Sequence, residues 1–266
     1  MITFLKLGGS LITEKNKPQT IRTETIQRIA IEIKTALNDN PEIKLLLGHG
    51  SGSFGHIPAQ RYKTRDGVHS SEEWLGFSEV SAMAATLNRQ VTAILRNCGL
   101  PVISFSPMSA VKTDNKKIAE WDVTSIFHSL QNHLIPMIYG DTVFDASLGG
   151  TIVSTEELFS ELAKQSAESS RILLAGLEKG VWQDYPQKEI LIKNMNVRDF
   201  QISNFEYIMQ SEFPDVTGGM QSKVNLMGLL LTEEIIKEAQ IFSGEIPGNI
   251  SDAILGKNPG TRLFRS

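Results

Sequence analysis

Apolar residues gather into short runs at Ile2–Leu7, Lys44–Leu47, Pro101–Phe105, Leu134–Tyr139, Arg171–Ala175 and Ala239–Phe242, separated by longer stretches of mixed polarity. The runs read as strands of a covered sheet. Between them the apolar positions take helical spacing: Ile26, Ile29, Ala30, Ile33 and Leu37 in one segment, Val80, Met83, Ala84, Leu87, Val91 and Ile94 in another. A third helix is expected to open after Thr217-Gly218-Gly219 and to carry Val224, Met227, Leu230 and Leu231. This alternation predicts an α/β protein, a three-layer αβα sandwich with a mainly parallel central sheet. No Gly/Pro-rich linker or internal repeat divides the chain, so residues 1–266 read as a single domain. Two approximate lobes, 1–170 and 171–266, are expected to share one sheet.

The 266 residues, 41% of them hydrophobic, suffice for a sizeable core. A formal net charge of −4 argues against a nucleic-acid partner, so an anionic ligand has to be met by local groups. The single cysteine, Cys98, excludes an internal disulfide framework and a Cys-based zinc site, and it fits a reducing compartment. No apolar run reaches the ~20 residues of a membrane span, and no signal-type segment opens the chain, so a cytoplasmic protein with no membrane partner is expected.

Two strand ends carry the candidate chemistry: Lys6-Leu7-Gly8-Gly9-Ser10, and His49-Gly50-Ser51-Gly52-Ser53-Phe54-Gly55-His56. A glycine turn between a buried strand and a helix lets backbone N–H groups approach an anion, and the helix N-terminus adds favourable partial charge. Two such turns predict two phosphates side by side, one on a donor and one on an acceptor. Gly50 to Gly55 also matches G-x-G-x-x-G, but a nicotinamide-binding fold needs a second strand ending in an acidic residue about 20 positions on. Gln60–Glu73 is polar and shows no strand pattern. A Walker A loop is excluded because His56 and Ile57 stand where Lys and Ser or Thr are required.

Lys6, beside the glycine pair, is placed to touch phosphate oxygens. Lys15 lies in the polar stretch Thr13 to Pro18, which reads as a flap after the first turn. His56, in the first turn of a helix after the second cradle, is a candidate phosphate ligand whose proton can shift toward the anion near neutral pH. Gly140-Asp141 and Asp145 are expected to bring two carboxylates to one edge of the sheet, Asp141 orienting a catalytic ammonium and Asp145 stabilising the turn. In Asp215-Val216-Thr217-Gly218-Gly219-Met220-Gln221-Ser222-Lys223 the spacing returns Lys223 to the helix face that carries Gly219. On spacing alone Lys223 reads equally well as a solvated helix lysine.

Taken together these strings closely resemble the amino-acid-kinase superfamily, and its isopentenyl phosphate kinase branch above all, over nearly the whole chain to Gly260-Thr261. The resemblance implies ATP with Mg²⁺, a small-molecule phosphate acceptor and a homodimer. It implies that Lys6, Gly8, Gly9 and Ser10 surround the ATP phosphates and that Lys15 reaches the transferring group. Gly52, Gly219 and Lys223 would serve the nucleotide. Gly50, Ser51, Gly55 and His56, with Gly149, would hold the acceptor's phosphate, and the helix bearing Val80, Met83, Ala84 and Leu87 would wall its apolar tail. The chain departs from the family at Ser154-Thr155-Glu156, usually Ser-Gly-Asp, and at Ala175 to Gly180, usually containing Thr-Asp-x-Asp-Gly. Both departures are expected on the nucleotide side. Rival readings are a kinase for another small phosphate or a fosfomycin-type phosphonate, and a non-catalytic nucleotide-binding sensor.

Overall fold

The computed structural model describes residues 1–198 and 219–266, with the backbone alone for residues 56–58. In chain order the strands are β1 (Ile2–Leu7), β2 (Lys44–His49), β3 (Val102–Ser104), β4 (Val111–Asp114), β5 (Lys117–Trp121), β6 (Ile135–Tyr139) and β7 (Asp141–Asp145). They continue as β8 (Gly149–Val153), β9 (Ser170–Gly176), β10 (Val181–Trp182), β11 (Leu191–Ile192), β12 (Asn194–Asn196), β13 (Glu238–Ser243) and β14 (Thr261–Phe264). The helices are α1 (Gly9–Ile12), α2 (Thr23–Asp39), α3 (Gly52–Tyr62), α4 (Ser71–Asn97), α5 (Thr124–Gln131), α6 (Thr155–Gln165), α7 (Gly219–Thr232) and α8 (Asn249–Ile254).

Eight strands form the central sheet in the order β12-β14-β13-β9-β1-β2-β6-β3. Its pairings are parallel except β13 with β14. Because side chains alternate across a strand, the buried runs divide between two cores. Phe4, Leu46, Ile138, Ile172 and Leu174 pack with α5, α6 and α7, whereas Leu5, Leu47, Met137 and Leu173 pack with α2, α4 and α8. The three layers follow from this period-two split. All six expected strands are present, with ends shifted by up to two residues. The helix over Val80 to Ile94 extends back to Ser71, where Ser70 and Glu73 form a reciprocal capping box.

A second sheet, β5-β4-β7-β8, was not anticipated. Its strands are short, and β4 alternates buried with exposed positions, so they lack the uninterrupted apolar runs of the central sheet. This sheet corrects the expected grouping of Asp141 and Asp145. The two residues stand at opposite ends of β7, about 13 Å apart at ~3.3 Å per residue. Asp145 caps the turn region, accepting from Thr113 Oγ1 at 2.7 Å and from the backbone N–H groups of Asn115, Lys116, Ser147 and Leu148.

Candidate active site

A cavity of about 480 Å³ opens at the C-terminal ends of β1, β2 and β9, where open α/β sheets place their ligands. Four helices begin on its wall: α1 at Gly9, α3 at Gly52, α6 at Thr155 and α7 at Gly219. Their N-termini direct partial positive charge into one space. The two glycine turns touch each other there. A Cβ on Gly9 would lie 2.3 Å from Gly52 N, and one on Gly50 would lie 3.0 Å from Gly9 N. Gly52 has φ +50, and a Cβ there would meet Thr13 Oγ1 at 2.2 Å. Side chains at these positions would push the two cradles apart.

Lys6 is buried where the turns meet, and its Nζ pairs with Glu156 in the first turn of α6. Burial pushes the Glu156 carboxyl up, but the Lys6 and Lys223 charges outweigh it and hold the group below the usual range. Lys223 also donates to Gly219 O at 3.3 Å. Behind this cluster His49 is fully buried, between Gly50 O at 3.1 Å and Asn88 Oδ1 at 3.2 Å. Burial lowers its pKa, and the Lys6 charge adds to that, so the imidazole is neutral near pH 7. Lys15 and Asn16 reach the cavity from a flap closed by the Thr13–Ile21 bridge. Facing them, Glu178 accepts from Trp182 Nε1 at 3.0 Å and from Lys188 Nζ at 2.9 Å. Against its burial, these bonds and the Lys188 and Lys15 charges keep Glu178 ionised.

Of the residues expected from sequence, Lys6, Gly8, Gly9, Ser10, Lys15, Gly50, Ser51, Gly52, Gly55, Asp141, Gly219 and Lys223 all line the cavity. The His56 side chain, and the start of the third turn from Asp215 to Gly218, lie outside the described residues. Met83 packs against the core of α2 and α8, and its neighbours Val80 and Ala84 face the cavity instead. Gly149, at φ +73, turns the β7–β8 hairpin against Val68 O and does not line the cavity. The carboxylate that pairs with Lys6 is Glu156. Asp141 is buried beside Ser81, Tyr139 and the Met108 N–H.

Ser154 to Glu156 lines the centre of the cavity, where Glu156 meets Lys6 and Lys223, the lysines expected on the nucleotide side. The residues that sequence reasoning missed are chiefly Glu156, Glu178 and Lys188. A signal for Glu156 was present: Ser154 and Glu157 form a capping box, which announces a helix start and puts residue 156 in its first turn.

Comparison with known proteins agrees with this geometry. Residues 1–237 match the model of the amino acid kinase family. The isopentenyl phosphate kinase of Methanocaldococcus jannaschii is 35% identical over 99% of this chain and 98% of its own length. That of Methanothermobacter thermautotrophicus is 30% identical over 98% of each. Crystal structures of an isopentenyl phosphate kinase superpose with a TM-score of 0.81 at 28% identity, covering 99% of this chain and all of the other.

Proposed function

The chain belongs to the amino acid kinase family, alongside its isopentenyl phosphate kinases, and on that premise we propose that it transfers the γ-phosphoryl group of ATP to isopentenyl phosphate, giving the diphosphate and ADP. The observation that carries the reading is the contact between the Gly9 and Gly52 turns above Lys6. It supports two phosphates held end to end, one over each turn.

The donor side is assigned to Lys6, Gly8, Gly9, Ser10, Gly219 and Lys223, and the acceptor side to Gly50, Ser51, Gly55 and His56. Val80, Ala84 and Ile152 line the same cavity and supply an apolar slot for the tail. The lobes 1–170 and 171–266 meet where β1 pairs with β9, which supports an acceptor half and a nucleotide half on one sheet. Phosphoryl transfer runs through a loose, charge-rich transition state, so positioning and cations do most of the catalysis. A phosphate monoester with a second pKa near 6 is already largely dianionic at pH 7 and needs no general base. Lys6, Lys15 and Lys223 offset the repulsion between the two anions. Mg²⁺ belongs with the nucleotide, where it would neutralise the β and γ oxygens. The lysines and helix N-termini on the cavity wall suit such a phosphate chain.

Incubation with ATP, Mg²⁺ and isopentenyl phosphate is expected to release ADP. Absence of turnover above background removes the reading. A panel of alkyl phosphates and phosphonates ranked by kcat/KM tests the tail slot, since only an apolar wall makes tail size matter.

A further inference from the structure

Asp141 is a buried cavity residue to which the proposed reaction gives no task. It is 1% exposed, and its Oδ2 is buried with no hydrogen-bond partner among the described residues. Its Oδ1 accepts from the Thr142 N–H at 2.8 Å. A buried carboxylate oxygen left unpaired is costly, whereas the neutral acid becomes a donor and can use a nearby hydroxyl. Two hydroxyls lie beside it, Ser81 on α4 and Tyr139 at the end of β6. Ser81 follows Val80 and precedes Ala84, the α4 side chains that face the slot.

We propose that Asp141 is a positioning residue that works as the neutral acid, tying α4 to the end of β6 and so setting the apolar wall for the acceptor's tail, and that loss of its proton lets water into that wall. The inference rests on the acceptor slot described under the proposed function. Burial, its dominant influence, pushes the Asp141 carboxyl up to about 7, against the pull of the Thr142 and Met108 N–H groups and the Tyr139 and Ser81 side chains. Among the described groups facing this spot, Tyr139 and His49 are shifted in opposite directions, away from the range just above neutrality. Burial and the Asp141 charge push Tyr139 above its usual 10.0. Arg89 on α4 pulls against that shift in Tyr139. On β2, His49 stacks on Tyr139 at 5.6 Å and is held below 6.5 by burial. Lys6 pairs with Glu156 and acts on His49 from behind.

The test compares the intact protein with Asp141→Asn, which keeps the shape and a donor but cannot ionise. If only the acid form captures acceptor, KM for isopentenyl phosphate in the parent rises up to about 25-fold from about pH 6.5 to about pH 8.5, as the competent fraction falls. Asp141→Asn is expected to keep the low-pH KM and to stay flat, with KM for ATP unchanged in both. The acceptor phosphate is the same in both assays, so the difference between the profiles isolates Asp141. Infrared spectroscopy of the parent gives a readout independent of turnover: a protonated-carboxyl band at about pH 6.5 that fades by about pH 8.5 and is missing in Asp141→Asn. Parallel KM profiles, an equal change in KM for ATP, or no such band at about pH 6.5 overturns the role of Asp141. A folded protein that turns over no isopentenyl phosphate at any pH removes the acceptor reading instead, and the wall with it. If Asp141→Asn fails to fold, the parent's band and its own KM profile still decide.

Discussion

Two buried carboxyls line the same cavity and meet opposite fates. Glu156, at the phosphate rim, faces Lys6 and Lys223 and stays ionised, while Asp141, at the acceptor wall, faces hydroxyls and backbone N–H groups and is pushed up to about 7. Burial acts in the same direction on both, and each keeps one oxygen without a hydrogen-bond partner among the described residues. The neighbours decide the outcome: a cation within reach offsets lost hydration, and a few neutral dipoles do not. The rim is thus a charged assembly suited to polyphosphate, and the wall is a neutral one suited to an apolar tail.

Removing the cation is the harshest way to break this comparison. Lys6→Met leaves Glu156 as a buried charge stripped of its nearest partner, with an expected loss of about 3–5 kcal/mol in urea unfolding. It is also expected to lower kcat at least about 100-fold in an ADP-release assay. Adding Glu156→Gln removes the stranded charge, so stability is expected to recover while kcat stays low. A stable Lys6→Met single variant would mean that the pair does not hold the rim together.

A third carboxyl sharpens the point without touching the site. Burial disfavours the Asp145 charge, but five hydrogen bonds outweigh it and lower its pKa to about 2. A depressed folded value contributes stability that is present above the ordinary 3.8 and is lost as pH falls through about 2. Asp145→Ala is therefore expected to cost about 2 kcal/mol at neutral pH and progressively less as pH falls from 3.8 toward about 2, with kcat unchanged. For Asp141 the sign reverses. Its folded form keeps the proton longer than the unfolded chain does, so stability declines as pH rises from 3.8 toward about 7.

The smallest expected effect is at the wall. Ala84→Leu fills the slot and is expected to raise KM for isopentenyl phosphate about tenfold, a little over 1 kcal/mol, with KM for ATP unchanged. Equal effects on both substrates would show that Ala84 serves the common core and not the tail.

Much of this site was legible before folding. The strand runs, the stripes of α2 and α4, and the glycine turns at Gly8-Gly9 and Gly50–Gly55 are local patterns, so they appeared in place. Asp145 was read correctly as a turn residue. The pairing of Lys6 with Glu156 was not expected from the sequence. Asp141 was favoured because it ends a strand run near Lys6's edge of the sheet, whereas Glu156 lay inside a string that departs from the family.

By itself the sequence determined the alternation of strands and helices, the two phosphate cradles and the family, because short-range periodicity and turn chemistry carry that information. Only the tertiary structure decided that Lys6 would meet Glu156, 150 residues away, and that Met83 would turn to the core while Val80 and Ala84 face the cavity. It also decided that one buried acid is charged and the other close to neutral. Ion-pair choice and proton affinity depend on which distant elements pack together and exclude water, and no local pattern encodes that.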